Sequence, residues 1–117
     1  MADQVFSLLK FSGSTSGRAI LVAATATLGT TIHAAHATAL DEVILFAYNG
    51  HTSDVVLTIE FGGVTVPDDL IVQTIPTKAG LVAVCLGGRV LTGGLAVTAF
   101  AGTTNVIAIS GAVRRAT

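Results

Sequence analysis

The sequence predicts an all-β protein: a single antiparallel β-sandwich or jelly-roll-like domain with an N-terminal arm. Three observations carry this expectation. Apolar and polar residues alternate with period two over several short segments, as in Asp54-Val-Val-Leu-Thr-Ile-Glu-Phe61. Glycine-rich and Asn/Asp-rich turns separate these segments at short intervals. No segment sustains a period of 3.6, so strands alternating with helices are disfavoured. The chain has 117 residues, of which 51% are hydrophobic and 11% charged. That length suits one domain, and an ordinary soluble domain carries roughly 25% charged residues. The low charge and high hydropathy exclude a disordered chain.

Residues 1–18 stand apart from the remainder. Val5, Phe6, Leu8, Leu9 and Phe11 precede Ser12-Gly13-Ser14-Thr15-Ser16-Gly17. This is an apolar hook followed by a flexible linker. It reads as an extra edge strand on its own sandwich, as an arm that docks on a neighbouring copy, or as a segment disordered in the free protein. The division adopted is arm and linker over 1–18 and sandwich over 19–117, with Phe6, Leu8, Leu9 and Phe11 as the arm's contact residues.

The strands follow in order. Ala19 to Thr27 and Thr30 to Ala34 flank Gly29. His33 to Asp41, rich in Ala, is the best helical candidate, at one or two turns. Glu42 to Asn49 is apolar on both faces, as a strand covered on both sides would be. Asn49-Gly50-His51-Thr52-Ser53 reads as a hairpin turn, because Asn-Gly accepts positive φ at low cost. In the next strand Val55, Leu57, Ile59 and Phe61 share one face; Val56, Thr58 and Glu60 share the other. Asp69 to Ile75 and Leu81 to Leu86 come next. Gly87-Gly88 is expected to turn the chain before a short strand from Arg89 to Thr92. Leu95 to Phe100 and Asn105 to Arg114 complete the set.

Candidate chemistry is sparse. His33 and His36 would share a face on a helix and oppose each other on a strand. No second ligand pair lies near them in sequence, and His51 sits in its own turn, so no metal site is expected. Asp68-Asp69 is too few oxygens for calcium. No serine occurs in a Gly-x-Ser-x-Gly setting. The glycine pairs lack the Lys-Ser/Thr of phosphate loops. Cys85, the only cysteine, lies in an apolar run and is expected to be buried and inert. No catalytic residue, cofactor, metal or small-molecule substrate is therefore expected, and no enzyme. No stripe of Lys/Arg supports nucleic-acid binding.

Two uncharged stretches, Ala19–Leu40 and Val90–Val113, are long enough to span a membrane but hold turn and strand residues. No membrane partner is expected. Met1-Ala2-Asp3-Gln4 has an acid where a secretory leader has a basic region, so export by that route is not expected either.

The outward candidates are the informative feature. Many are Ala, Val and Thr where an isolated sandwich should be polar. An exposed apolar patch of this kind marks an interaction site. A homo-oligomer docked on a larger protein surface follows as the expectation. Arg114-Arg115 near the C-terminus is a candidate contact for an acidic partner surface.

From about Leu28 to Arg114 the chain resembles the small β-sandwich virion proteins of tailed bacteriophages, most of all capsid decoration (cement) proteins. The resemblance rests on Tyr48-Asn49, on Leu57-Thr58-Ile59-Glu60-Phe61-Gly62-Gly63, and on Ile75-Pro76 with Gly80. It continues through Leu91-Thr92-Gly93-Gly94-Leu95 and Asn105-Val106-Ile107-Ala108-Ile109-Ser110-Gly111. It implies a homotrimer bound to the major capsid protein on the outer capsid surface, made in the host cytoplasm and clamping capsomer junctions. It carries no catalytic signature. A tail, neck or fibre-base component is the alternative. A carbohydrate-binding module is weaker, because Trp is absent and Tyr48 is the only Tyr.

Overall fold

The computed structural model describes residues 5–117. Met1–Gln4, on which the argument against a leader rests, lie outside the described residues. Nine strands form: β1 (Phe6–Leu9), β2 (Ile20–Leu21), β3 (Thr30–Ala34), β4 (Leu40–Asn49), β5 (Val55–Phe61), β6 (Leu70–Ile75), β7 (Val82–Leu91), β8 (Ala96–Ala101) and β9 (Ile107–Ala116). They build two antiparallel sheets. The first has the order β1-β9-β4-β7, with β2 also on β9; the second has the order β3-β8-β5-β6. Among the described residues only the β1–β2 and β5–β6 connections stay within one sheet. Every connection from β6 to β9 changes sheet, as do those joining β2 through β5. With β1 and β2 sharing one edge, this wrapping order is that of a jelly roll.

Alternation builds the core. In β4, Asp41, Val43, Leu45, Ala47 and Asn49 are buried, while Leu40, Glu42, Ile44, Phe46 and Tyr48 between them are not. Across the sandwich Leu57 and Ile59 of β5 and Val97 and Ala99 of β8 meet them in one apolar cluster with Ile107, Ile109 and Val113 of β9. Each large side chain there contributes about 1.5–3 kcal/mol by leaving water. Gly111 lies where β9 crosses Leu45 of β4. Its φ is 145°, and a Cβ would run into the Ile44 carbonyl oxygen. The close pairing of the two central strands needs glycine there.

Several expectations are corrected. His33–Asp41 forms no helix: His33 and Ala34 end β3, and a bend leads to β4. Asp41 is drawn inward as a strand residue, which a helix would not allow. Asn49–Ser53 is not a hairpin, because β4 and β5 lie in different sheets. The Asn49 side chain makes the corner instead. Its Nδ2 donates to the Ser53 and Ile75 carbonyls, and its Oδ1 accepts from the His51 amide. Gly87-Gly88 does not end a strand. Ile44 pairs with Leu86 and Glu42 with Val90, so β7 carries two extra residues between these pairs and bulges without breaking. The strand expected over Ala19–Thr27 shrinks to Ile20–Leu21, because Thr27 and Gly29 are pulled across the second sheet by Glu60.

Within residues 1–18, the structure pairs Phe6–Leu9 with the chain's own sandwich. β1 pairs with β9, from Phe6↔Ala116 to Leu9↔Val113. Phe11 is 2% exposed and belongs to the core, against the expectation of an outward contact residue. An aromatic ring finds more apolar surface there than on an edge. The linker is tied as well: the Gly13 amide donates to the Ile32 carbonyl and the Ala34 amide to Ser12 Oγ.

Phe11→Ala is expected to lower stability by about 3–5 kcal/mol in chemical denaturation. Leu8→Ala, at a side chain 77% exposed, is expected to change it by less than about 1 kcal/mol. Equal losses would mean that β1 and the core segment after it are not distinguished in this way.

Candidate interaction surface

Cross-strand partners project to the same side of a sheet, so the register of the first sheet lays out its outer face row by row. Phe6, Ala116 and Leu40 form one row; Leu8, Arg114, Glu42 and Val90 form the next. Ala112, Ile44 and Leu86 follow, then Ser110, Phe46 and Ala83, and finally Leu21, Ala108 and Tyr48. None of these side chains is classed with the core. Leu8 and Leu86 are more than 70% exposed. The expectation that Glu42–Asn49 is covered on both sides is corrected: the second sheet covers one face, and the other face is open.

This face has relief. Along β9 its side chains are Ala108, Ser110, Ala112, Arg114 and Ala116, mostly small. Along β4 they are Leu40, Glu42, Ile44, Phe46 and Tyr48, mostly large. A furrow over β9 therefore runs beside a ridge over β4. Phe6 and Leu8 wall the furrow on its far side at one end. A cleft of about 250 Å³ opens there between Phe6, Leu40, Glu42, Val90, Arg114 and Ala116.

The face carries one cation and one anion, and they are neighbours. Arg114 Nη1 lies 3.6 Å from Glu42 Oε1. The guanidinium also sits 5.3 Å from the Phe6 ring centroid. Glu42 Oε2 accepts from the Gly88 amide at 2.9 Å, so the β7 bulge holds this carboxylate in place. The patch is apolar, and its two charges cancel.

Of the residues expected to make contacts, Phe6, Leu8 and Arg114 lie on this face. Leu9 turns inward against the core, and Phe11 is within it. Arg115 does not lie on this face. Adjacent strand residues point to opposite sides, and Arg115 points into the sandwich. Its Nε donates to Asp41 Oδ1 at 2.7 Å and its Nη2 to Oδ2 at 2.9 Å.

Asp41 is fully buried and gathers a cluster that sequence reasoning missed. The Ser12 amide donates to His33 Nδ1 at 3.0 Å, which leaves the ring proton on Nε2, 2.7 Å from Asp41 Oδ2. The His36 amide donates to the same oxygen. The cluster thus joins the segment after β1 to β3, β4 and β9. The Arg115 hydrogen bond holds the Asp41 carboxyl down at about 2 against the opposing effect of burial, with help from His33. Asp41 in turn raises Arg115.

Glu60 is a second buried acid. Burial pushes it up, but Thr98 Oγ1, Thr27 Oγ1 and the Gly29 amide donate to it at 2.6–2.7 Å and hold it below its ordinary value. Its place on the outer side of β5 was legible; the loop that covers it was not.

Cys85 is buried, and its thiol donates to the Val43 carbonyl. Among the described residues no group of three or more His, Cys, Asp or Glu is placed to hold a metal ion. None of their helices is long and apolar enough to cross a membrane. No known protein family, curated protein or solved structure matches the chain.

A carboxylate whose value falls from 3.8 unfolded to about 2 folded stabilises the fold fully above the unfolded value. That stabilisation disappears as pH drops through the folded one. Asp41 is expected to contribute about 2 kcal/mol at neutral pH. Unfolding free energy should decline between about pH 4 and pH 2 in urea titrations. Arg115→Met should remove most of that decline, and an unchanged slope in the variant would assign it elsewhere.

Proposed function

We propose that this protein is a structural virion component, a capsid decoration protein that assembles with copies of itself and clamps junctions between major capsid subunits. The observation that carries the reading is the open apolar face of the first sheet. A self-sufficient sandwich has a polar exterior; this one keeps Ile44, Phe46, Leu86 and Val90 on an outer face with two mutually paired charges. Surfaces of this kind mark assembly sites. The jelly-roll order adds support by analogy, since capsid proteins use that architecture, as do lectins and cupins. The sequence resemblance to phage cement proteins points the same way.

The action would be mechanical. Standard interfaces bury about 1,600 Å². Several such contacts from one oligomer must break together before capsomers separate, which slows dissociation. With only 11% charged residues in the chain, little of a capsid contact would be ionic, and attachment should depend little on ionic strength.

Mass spectrometry of fractionated virus particles tests the reading. The chain is expected in purified heads, in fixed ratio to the major capsid protein, and should stay bound on transfer from low to high salt. Absence from particles would overturn the proposal. Recovery with tails alone would replace it with the tail or neck role.

A further inference from the structure

We infer that the outer face of the first sheet is the seat of a second copy of this chain, packed face to face about a two-fold axis that runs along the strands between β4 and β9. The inference rests on the reading of this face as an assembly surface and names its occupant, a two-fold partner in place of the homotrimer that the resemblance implies. Three properties of the face lead to it.

The first is shape. A two-fold operation along the strands carries β4 of one copy over β9 of the other, and β9 over β4. The ridge of each copy then lies in the furrow of its partner. The flanks match too: Leu8 beside β9 comes opposite the partner's Val90, and Val90 opposite the partner's Leu8. An isologous contact requires this self-complementarity, because the same surface supplies both halves.

The second is charge. Glu42 and Arg114 are direct cross-strand partners on β4 and β9, so they lie at one height along the axis. The operation places Glu42 opposite the partner's Arg114, and Arg114 opposite the partner's Glu42. Four charges form one alternating square, and no like charges face each other. The Arg114 side chain is 51% exposed, which leaves guanidinium donors for a second carboxylate.

The third is area. Three ten-residue strands abreast, flanked on β9 by the four residues of β1 and the two of β2, cover roughly 550 Å² per copy in flat projection. Two copies together bury about 1,100 Å², at the lower end of what a specific complex needs. Sheets also stack face to face at about 10 Å, a spacing that ordinary apolar side chains fill.

Sedimentation equilibrium of the full chain and four derived samples tests the arrangement. The wild type is expected at two-copy mass in the micromolar range. Glu42→Arg and Arg114→Glu each place like charges across the axis and should weaken self-association at least roughly tenfold. An equimolar mixture of those two variants should regain two-copy mass. Within either variant chain the charges are alike, so the regained attraction can act only between chains. Ala112→Trp, which fills the furrow, should yield a monomer with an unchanged melting profile.

A wild-type monomer, a three-copy mass or no gain on mixing would overturn the two-fold arrangement. A chain present in virus heads but not two-fold paired would leave the decoration reading standing. A two-fold pair absent from virus particles would do the reverse.

Discussion

The period of two in β4 and β9 is the constraint on which the molecule depends. These are the two central strands of the first sheet, ten residues each and in register over their whole length. Their inner rows, Val43, Leu45 and Ala47 with Ile109 and Val113, make one wall of the core. The outer rows are set by the same alternation and cannot be chosen independently of strand position. A slip of one residue would expose the core row and bury Arg114 and Glu42. Gly111 allows the close approach that keeps the register. The shape of the open face is therefore as firmly specified as the core behind it.

Polar anchors close the parts of the fold that alternation leaves loose. Asp41 draws on Arg115, His33 and His36 and so fastens one end of the sandwich, where β3, β4 and β9 converge. Glu60 fastens the 27–29 segment over the second sheet. Asn49 shapes the β4–β5 corner. Each of these three buried side chains has several partners, which is the condition under which burial does not carry a net penalty. All three sit on strands, and each has at least one partner 26 or more residues away in sequence.

That distance explains what could be read in advance. Strands β3, β5, β6 and β8 were legible to within a residue or two, because alternation and turn chemistry are local signals. The apolar outer candidates were legible as well. Which strands shared a sheet was not, so Asn49–Ser53 passed for a hairpin. The Asp41 cluster was invisible because its members come from residues 12, 33, 36, 41 and 115. His33 and His36 drew attention as an isolated pair, although their partner was an acid eight residues beyond His33. Arg115 looked equivalent to Arg114 until strand direction separated them.

The bulge in β7 has a consequence for growth. β7 is an outer strand of the first sheet, and an exposed strand margin invites lateral addition of further chains without limit. Two surplus residues at Gly87-Gly88, both with positive φ, break the regular ladder of amides and carbonyls along that margin. An incoming strand meets an interrupted template there. Polymerisation sideways into ribbons is discouraged.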